Sequence, residues 1–164
     1  MNKKFLIFFG IILLTVLIAW QSLVLVPTRD RKIPSYVLTR SQRDQIRQET
    51  KGMTPDQIID YSLSMTARDL TFTRKVNCVT YANYSSAICN CAFSANFIKG
   101  KAKPKVGTVK LWGLDLCEIL YSITQNTFVI NHDFTEISLP ERTVYVDASF
   151  YDLIKTDCRK VVRN

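Results

Sequence analysis

The sequence predicts an α+β fold in which a helix packs on an antiparallel sheet, preceded by a single N-terminal transmembrane helix. Three observations carry that expectation. An uncharged apolar run opens the chain, apolar residues recur at helical spacing through its middle, and short β-rich segments separated by prolines and polar pairs follow. The 164 residues, less the apolar run, are enough for one domain with one core. Apolar and charged contents of 47% and 22% are those of a globular chain, which excludes a disordered one.

Phe5 to Val26 reads FLIFFGIILLTVLIAWQSLVLV, without a charge. As a helix it spans about 30 Å, the thickness of a bilayer's hydrocarbon core. The run is longer than the apolar region of a usual signal peptide and no A-x-A cleavage site follows it, so residues 1–26 are expected to be an uncleaved anchor. A single-pass membrane protein is the consequence, with the membrane as a partner. Lys3 and Lys4 face Arg29, Arg31, Lys32, Arg40, Arg43 and Arg47 across the run, and a strict positive-inside count keeps the domain in the cytoplasm. A short Lys-led start before an apolar run is nonetheless how exported chains begin, and an extracytoplasmic domain is expected.

Lys3 and Lys4 supply two of the eight net positive charges, which leaves the remainder of the chain basic. The basic residues are scattered and form neither an aromatic-and-basic ribonucleoprotein pattern nor a recognition helix, so nucleic acid is not the expected partner.

Residues 27–53 are polar, rich in Arg and Gln, and carry Pro27 and Pro34 early; they read as a stalk. Within them Ser41 to Lys51 has helical character but a thin apolar face, that of a solvated helix. The folded domain, residues 54–164, is expected to start at Thr54-Pro55-Asp56-Gln57. Thr is the N-cap there, Pro takes the first helical position, and Gln completes a capping box. Ile59, Leu63, Ala67 and Leu70 continue it as one stripe.

A second helix is predicted from Cys78 to about Ile98, stopped at Gly100, with a buried stripe of Tyr81, Tyr84, Ile88, Cys91 and Ala95. Strands are predicted over Val106 to Trp112, Leu116 to Ile123, Thr127 to Leu139 and Thr143 to Val146. The cysteines are Cys78, Cys89, Cys91, Cys117 and Cys158, an odd set that leaves a thiol over from any intramolecular pairing. Cys89 and Cys91 point about 200° apart on a helix and cannot bond each other. Any disulfide is expected among Cys89, Cys117 and Cys158. With one histidine and no C-x-x-C pair, no metal site is expected, and no organic cofactor is implied.

Cys78 stands where a polar stretch ends and a helix begins, a place where free backbone amides and the helix dipole favour a thiolate. His132 lies on a predicted strand, and Asp147 ends the next. If Leu139 pairs with Arg142 across Pro140-Glu141, Asp147 falls opposite Phe134 and His132 is its diagonal neighbour on the same face. An imidazole and a carboxylate meet across that spacing.

Arg74-Lys75-Val76-Asn77-Cys78-Val79-Thr80-Tyr81-Ala82 resembles the nucleophile motif of the transglutaminase-like superfamily: a basic pair, Gly, any residue, Cys, two more, an aromatic and Ala. His132-Asp133-Phe134-Thr135-Glu136 is similar to that family's histidine motif, and Val146-Asp147-Ala148-Ser149 to its Val-Asp-Pro-Thr. The likeness covers about residues 54 to 155 and implies a papain-like core. It also implies a catalytic triad in which Cys78 is the nucleophile, His132 the base and Asp147 the residue that orients the imidazole. Val76 stands in place of the family's Gly, Asp133 in place of a small residue and Ala148 in place of Pro; none of these is a reacting group.

The implied chemistry is attack on an amide carbonyl of a protein or peptide substrate through a thioester acyl-enzyme, completed by water in a peptidase or amidase, or by an amine in a crosslinking transferase. A non-catalytic binding or scaffold module of the same fold is the alternative. For the oxyanion hole, the Cys78 amide is one donor and Trp112 a candidate for the second.

Overall fold

The computed structural model describes residues 23–71, 76–124, 131–154 and 159–163. In chain order the elements are β1 (Leu23–Asp30), α1 (Arg40–Glu49), α2 (Pro55–Asp69), α3 (Cys78–Ala95), β2 (Lys101–Leu111), β3 (Leu114–Asp115), α4 (Leu116–Thr124), β4 (His132–Ser138), β5 (Arg142–Val146), α5 (Ala148–Ile154) and β6 (Arg159–Arg163). The strands form one antiparallel sheet in the order β1-β2-β4-β5-β6, with β3 paired to β2 alone. The sheet curls until β1 and β6 approach each other. Helix α3 lies on β2 and β4 and is flanked by α1, α2 and α5. The α+β expectation of a helix on an antiparallel sheet describes this architecture.

The N-terminal expectation is corrected. Leu23 to Val26, the end of the predicted transmembrane helix, are the first residues of strand β1, which pairs with β2 from Leu23↔Leu111 to Asp30↔Lys105. Among the described residues no helix is long and apolar enough to cross a membrane. With Leu23 to Val26 in a strand, the transmembrane helix expected to run to Val26 is corrected, and with it the single-pass, extracytoplasmic placement that rested on that helix; Phe5 to Ser22 lie outside the described residues. The physical reason lies in the residues: Leu-Val-Leu-Val is apolar in any conformation, and hydrophobicity without period does not separate helix from strand. Pairing separates them here, with Leu25 sealed against Val109 and Phe134.

The stalk over residues 27–53 is corrected too: Pro27 to Asp30 continue β1, and Leu38 and Ile46 are buried in the main core. Helix α1 opens on a capping box, with Thr39 Oγ1 accepting from the Gln42 amide and Gln42 Oε1 accepting from the Thr39 amide. Its apolar face is thin because one side chain, Ile46, does the burying, at 0% exposure. Polar contacts hold the rest: Gln42 donates to the Tyr84 hydroxyl at 3.0 Å, and the Tyr61 hydroxyl donates to Glu49 at 2.8 Å. Helix α2 starts at Thr54 with the predicted cap, Pro55 at its first position and Gln57 reaching back at 2.9 Å.

Helix α3 buries more than one stripe. Tyr81, Ala82, Tyr84, Ser85, Ser86, Ile88, Cys89, Ala92 and Phe93 are all buried, because the helix is packed by α2 on one side and the sheet on another. Its small residues permit this: Ser85 meets Ser62 of α2 at 3.4 Å, and the Ala82 carbonyl accepts from Thr135 of β4 at 3.1 Å. Cys89 therefore occupies the core. Cys91, expected in the buried stripe, is half-buried with its sulfur 4.0 Å from the Arg43 carbonyl of α1. The helix ends at Ala95 rather than Ile98, because Phe97 takes a left-handed φ of 54° and the Ile98 amide turns back to the Phe93 carbonyl.

The predicted strand from Leu116 to Ile123 is instead helix α4. Asp115 starts it by accepting from the amides of Cys117 and Glu118 at 2.9 and 3.1 Å. Of the predicted strand from Thr127 to Leu139, residues 132–138 form β4, and residues 127–130 lie outside the described residues. The β4–β5 hairpin has the expected register, Thr135↔Val146 through Ser138↔Thr143, closed by reciprocal Leu139 and Arg142 backbone bonds.

Gly107 of β2 sits opposite His132 on β4. A Cβ there would lie 2.2 Å from the Val26 carbonyl oxygen and 2.7 Å from the Phe134 ring, so only hydrogen fits between the two strands. Gly52 has open space around its missing Cβ but a φ of 77°. Gly107→Ala is expected to cost about 3 kcal/mol, as overpacking a tight core does, and Gly52→Ala about 1 kcal/mol of backbone strain. Urea denaturation of the two variants checks this order; equal losses would contradict the tight β1–β2–β4 contact.

Candidate active site

Three elements bring their ends together at the N-terminus of α3. Asn77 caps that helix through its side-chain oxygen, which accepts from the Val79 amide at 3.1 Å. Cys78 is therefore the first helical residue, and helix geometry leaves its own N–H without an intrahelical acceptor. The cysteine is half-buried, with its thiol within reach of both the His132 ring and the Asp133 carboxylate.

His132 begins β4 and Asp147 follows the last residue of β5. Nε2 of His132 and Oδ2 of Asp147 share a short hydrogen bond, which leaves Nδ1 as the ring nitrogen available to the thiol. The Phe150 ring packs near-perpendicular to the imidazole, with centroids 5.3 Å apart at 79°. Asp147 is fully buried, and its second oxygen is occupied as well: Oδ1 accepts from the amides of Ser149 and Phe150 at 3.0 and 3.1 Å and from the Ser149 hydroxyl at 2.7 Å. The carboxylate thus starts helix α5 with one oxygen and orients the histidine with the other.

Burial alone would push the His132 pKa down. The adjacent Asp147 charge, their hydrogen bond and the Cys78 thiol outweigh it and hold the imidazole well above its ordinary value. For Asp147 burial pulls upward, and the His132 charge, the bonds from His132 and Ser149, and the Phe150 amide bring it below the usual carboxylate range. The other thiols differ. Burial pushes Cys89 up to about 12, and burial also raises Cys91. Cys78, Cys89, Cys91 and Cys117 all carry free thiols, while Cys158 lies outside the described residues.

Sequence reasoning placed Cys78, His132 and Asp147, and the structure brings all three together. It does not bring Trp112. That residue sits at the β2–β3 turn with a φ of 51° and 56% exposure, roughly 16 Å along β2 from the position opposite His132. It is neither core nor an oxyanion donor for this thiol. Two residues were missed. Asp133 faces α3, its buried carboxylate 3.9 Å from the Cys78 sulfur, and Arg31 binds that carboxylate with both Nε and Nη2. The signal for Asp133 was present in the strand period, which turns it to the helix side with Thr135 and Ile137; nothing in the local sequence marks Arg31.

No family model, curated protein or solved structure matches the chain. Among the described residues no three His, Cys, Asp or Glu side chains converge as they would around a metal ion.

The His132–Asp147 pair makes stability depend on pH with a definite sign. The raised histidine contributes fully below about pH 6.5, where an unfolded imidazole is also protonated, and its contribution is lost as pH rises through the raised folded value. The lowered aspartate contributes above about pH 4 and is lost as pH falls. The melting-temperature gap between the native chain and Asp147→Asn should therefore be widest near pH 5 to 6.5 and narrow towards pH 9. A gap independent of pH over that range would contradict the ion pair.

Proposed function

We propose that this chain is a transglutaminase-like thiol enzyme that cleaves an amide bond of a protein or peptide through a covalent thioester. The observation that carries the reading is the hydrogen bond from the His132 ring to the buried Asp147 carboxylate, with the Cys78 thiol at the start of α3 within reach of that ring. The likeness of the three short motifs to that superfamily supports it.

In the reaction His132 takes the thiol proton, and the Cys78 sulfur attacks the carbonyl carbon. The N–H at the start of α3 is placed to stabilise the developing oxyanion. As the C–N bond breaks, the imidazolium returns its proton to the leaving amine, and the acyl group remains on sulfur. Water then attacks the thioester, His132 accepts its proton, and the acid leaves as the thiol is restored. An amine in place of water would give acyl transfer. Hydrolysis is the reading adopted, since water needs no site of its own.

Asp147 keeps the imidazole in the tautomer with its proton on Nε2, so that Nδ1 is the base, and then stabilises the imidazolium. Asp147→Asn keeps an oxygen for the α5 cap, because Asn caps helices as well as Asp, yet presents the wrong group or charge to the ring. That variant should fold while losing on the order of 10²- to 10⁴-fold in turnover. The test is a peptide-amide substrate library together with iodoacetamide labelling at pH 7, mapped by mass spectrometry. Cys78 should alkylate well ahead of Cys89 and Cys91, and Cys78→Ala should abolish turnover. If Asp147→Asn leaves turnover unchanged, the triad assignment fails; if Cys78 reacts no faster than Cys91 and no amide is cleaved, a binding module is the better account.

A further inference from the structure

Beside the thiol lies a second acid. Asp133 has a side chain only 1% exposed, and its Oδ2 is 3.9 Å from the Cys78 sulfur. A buried carboxylate that close repels negative charge on the sulfur, because the two then share a poorly screened site. The charged groups brought to the sulfur are His132 and Asp133 from β4 and Arg31 from the segment after β1, with Asp147 behind His132. Without Arg31 the balance would be two carboxylates against one imidazolium.

Arg31 is held side-on. Its Nε donates to Asp133 Oδ1 at 2.6 Å and its Nη2 to Oδ2 at 2.5 Å, while its side chain is 27% exposed. Both acceptor oxygens are taken by one planar cation, the geometry that an ammonium cannot reproduce. Strand β1 fixes where the residue emerges, since Asp30 pairs with Lys105 and the Arg31 amide donates to the Pro104 carbonyl.

We propose that Arg31 is a positioning residue of the thiol centre: by pairing with Asp133 it neutralises the carboxylate next to Cys78 and so governs how readily the sulfur acts as a nucleophile. The proposal rests on the reading of Cys78 as the nucleophile and adds a second, opposite control to that of His132. It also gives the segment following β1 a part in the chemistry, 102 residues from the acid it binds.

The test uses the full chain and follows iodoacetamide alkylation of Cys78 by peptide mass spectrometry across pH 5 to 10. Arg31→Ala should raise the midpoint of the rate–pH profile by about one unit or more, which slows labelling at neutral pH about tenfold. Asp133→Asn should move the midpoint the other way, because a guanidinium then faces the sulfur with no anion between them. Arg31→Ala/Asp133→Asn should return it near the native value. An unchanged midpoint in Arg31→Ala overturns the proposal, as does a raised one in Asp133→Asn; the second variant decides the matter even where the first does not fold. His132→Gln in the same series keeps the two claims apart. A native profile in that variant sinks the His132 role, whereas the Arg31 and Asp133 shifts are read independently of it.

Discussion

The carboxylate of Asp147 has two oxygens, and the C-terminal half of the structure hangs on how they are used. Oδ1 starts helix α5 through two backbone amides and the Ser149 hydroxyl; Oδ2 holds the His132 ring. A buried anion with every acceptor occupied has one orientation. The imidazole inherits it, braced by the Phe150 ring. The register of the β4–β5 hairpin is what makes the contact available, since a slip by one residue would turn His132 and Asp147 to opposite faces.

The cysteine reaches that pair by a different route. Helix α3 is enclosed by α2 and the sheet, with Tyr81, Ser85, Ile88 and Cys89 all buried, so its axis is fixed along most of its length. The Thr135 hydroxyl ties it to β4 at the Ala82 carbonyl, one turn beyond Cys78. The Tyr81 hydroxyl adds a bond to Asp152 of α5 at 2.5 Å, which joins the helix to the element that Asp147 starts. Sulfur, imidazole and carboxylate are thus carried by separate elements locked to one another close to the site.

What could be read in the sequence was local chemistry. The Thr54 capping box, the Asn77–Cys78 helix start and the two-residue turn at Pro140-Glu141 each involve neighbours in the chain, and each was legible. What could not be read depends on partners far away. Leu23 to Val26 carry no periodic signal, so only their pairing to β2 decides that they are strand. Leu116 to Ile123 turn helical because Asp115 caps them. Cys89 and Cys91 exchange places relative to the predicted stripe because α3 is packed on several sides. Arg31 and Asp133 form one ion pair whose members lie in segments joined only by the sheet.

Because His132 is the chain's single histidine, its ring can be followed by long-range ¹H–¹⁵N correlation without ambiguity of assignment. A titration of that one signal in the native chain, Asp147→Asn and Cys78→Ala tests the thiol–imidazole–carboxylate contact directly. The account predicts a native midpoint well above 6.5 and a proton on Nε2 in the neutral ring, with the midpoint lowered in both variants. A midpoint near 6.5 that neither substitution moves would contradict it.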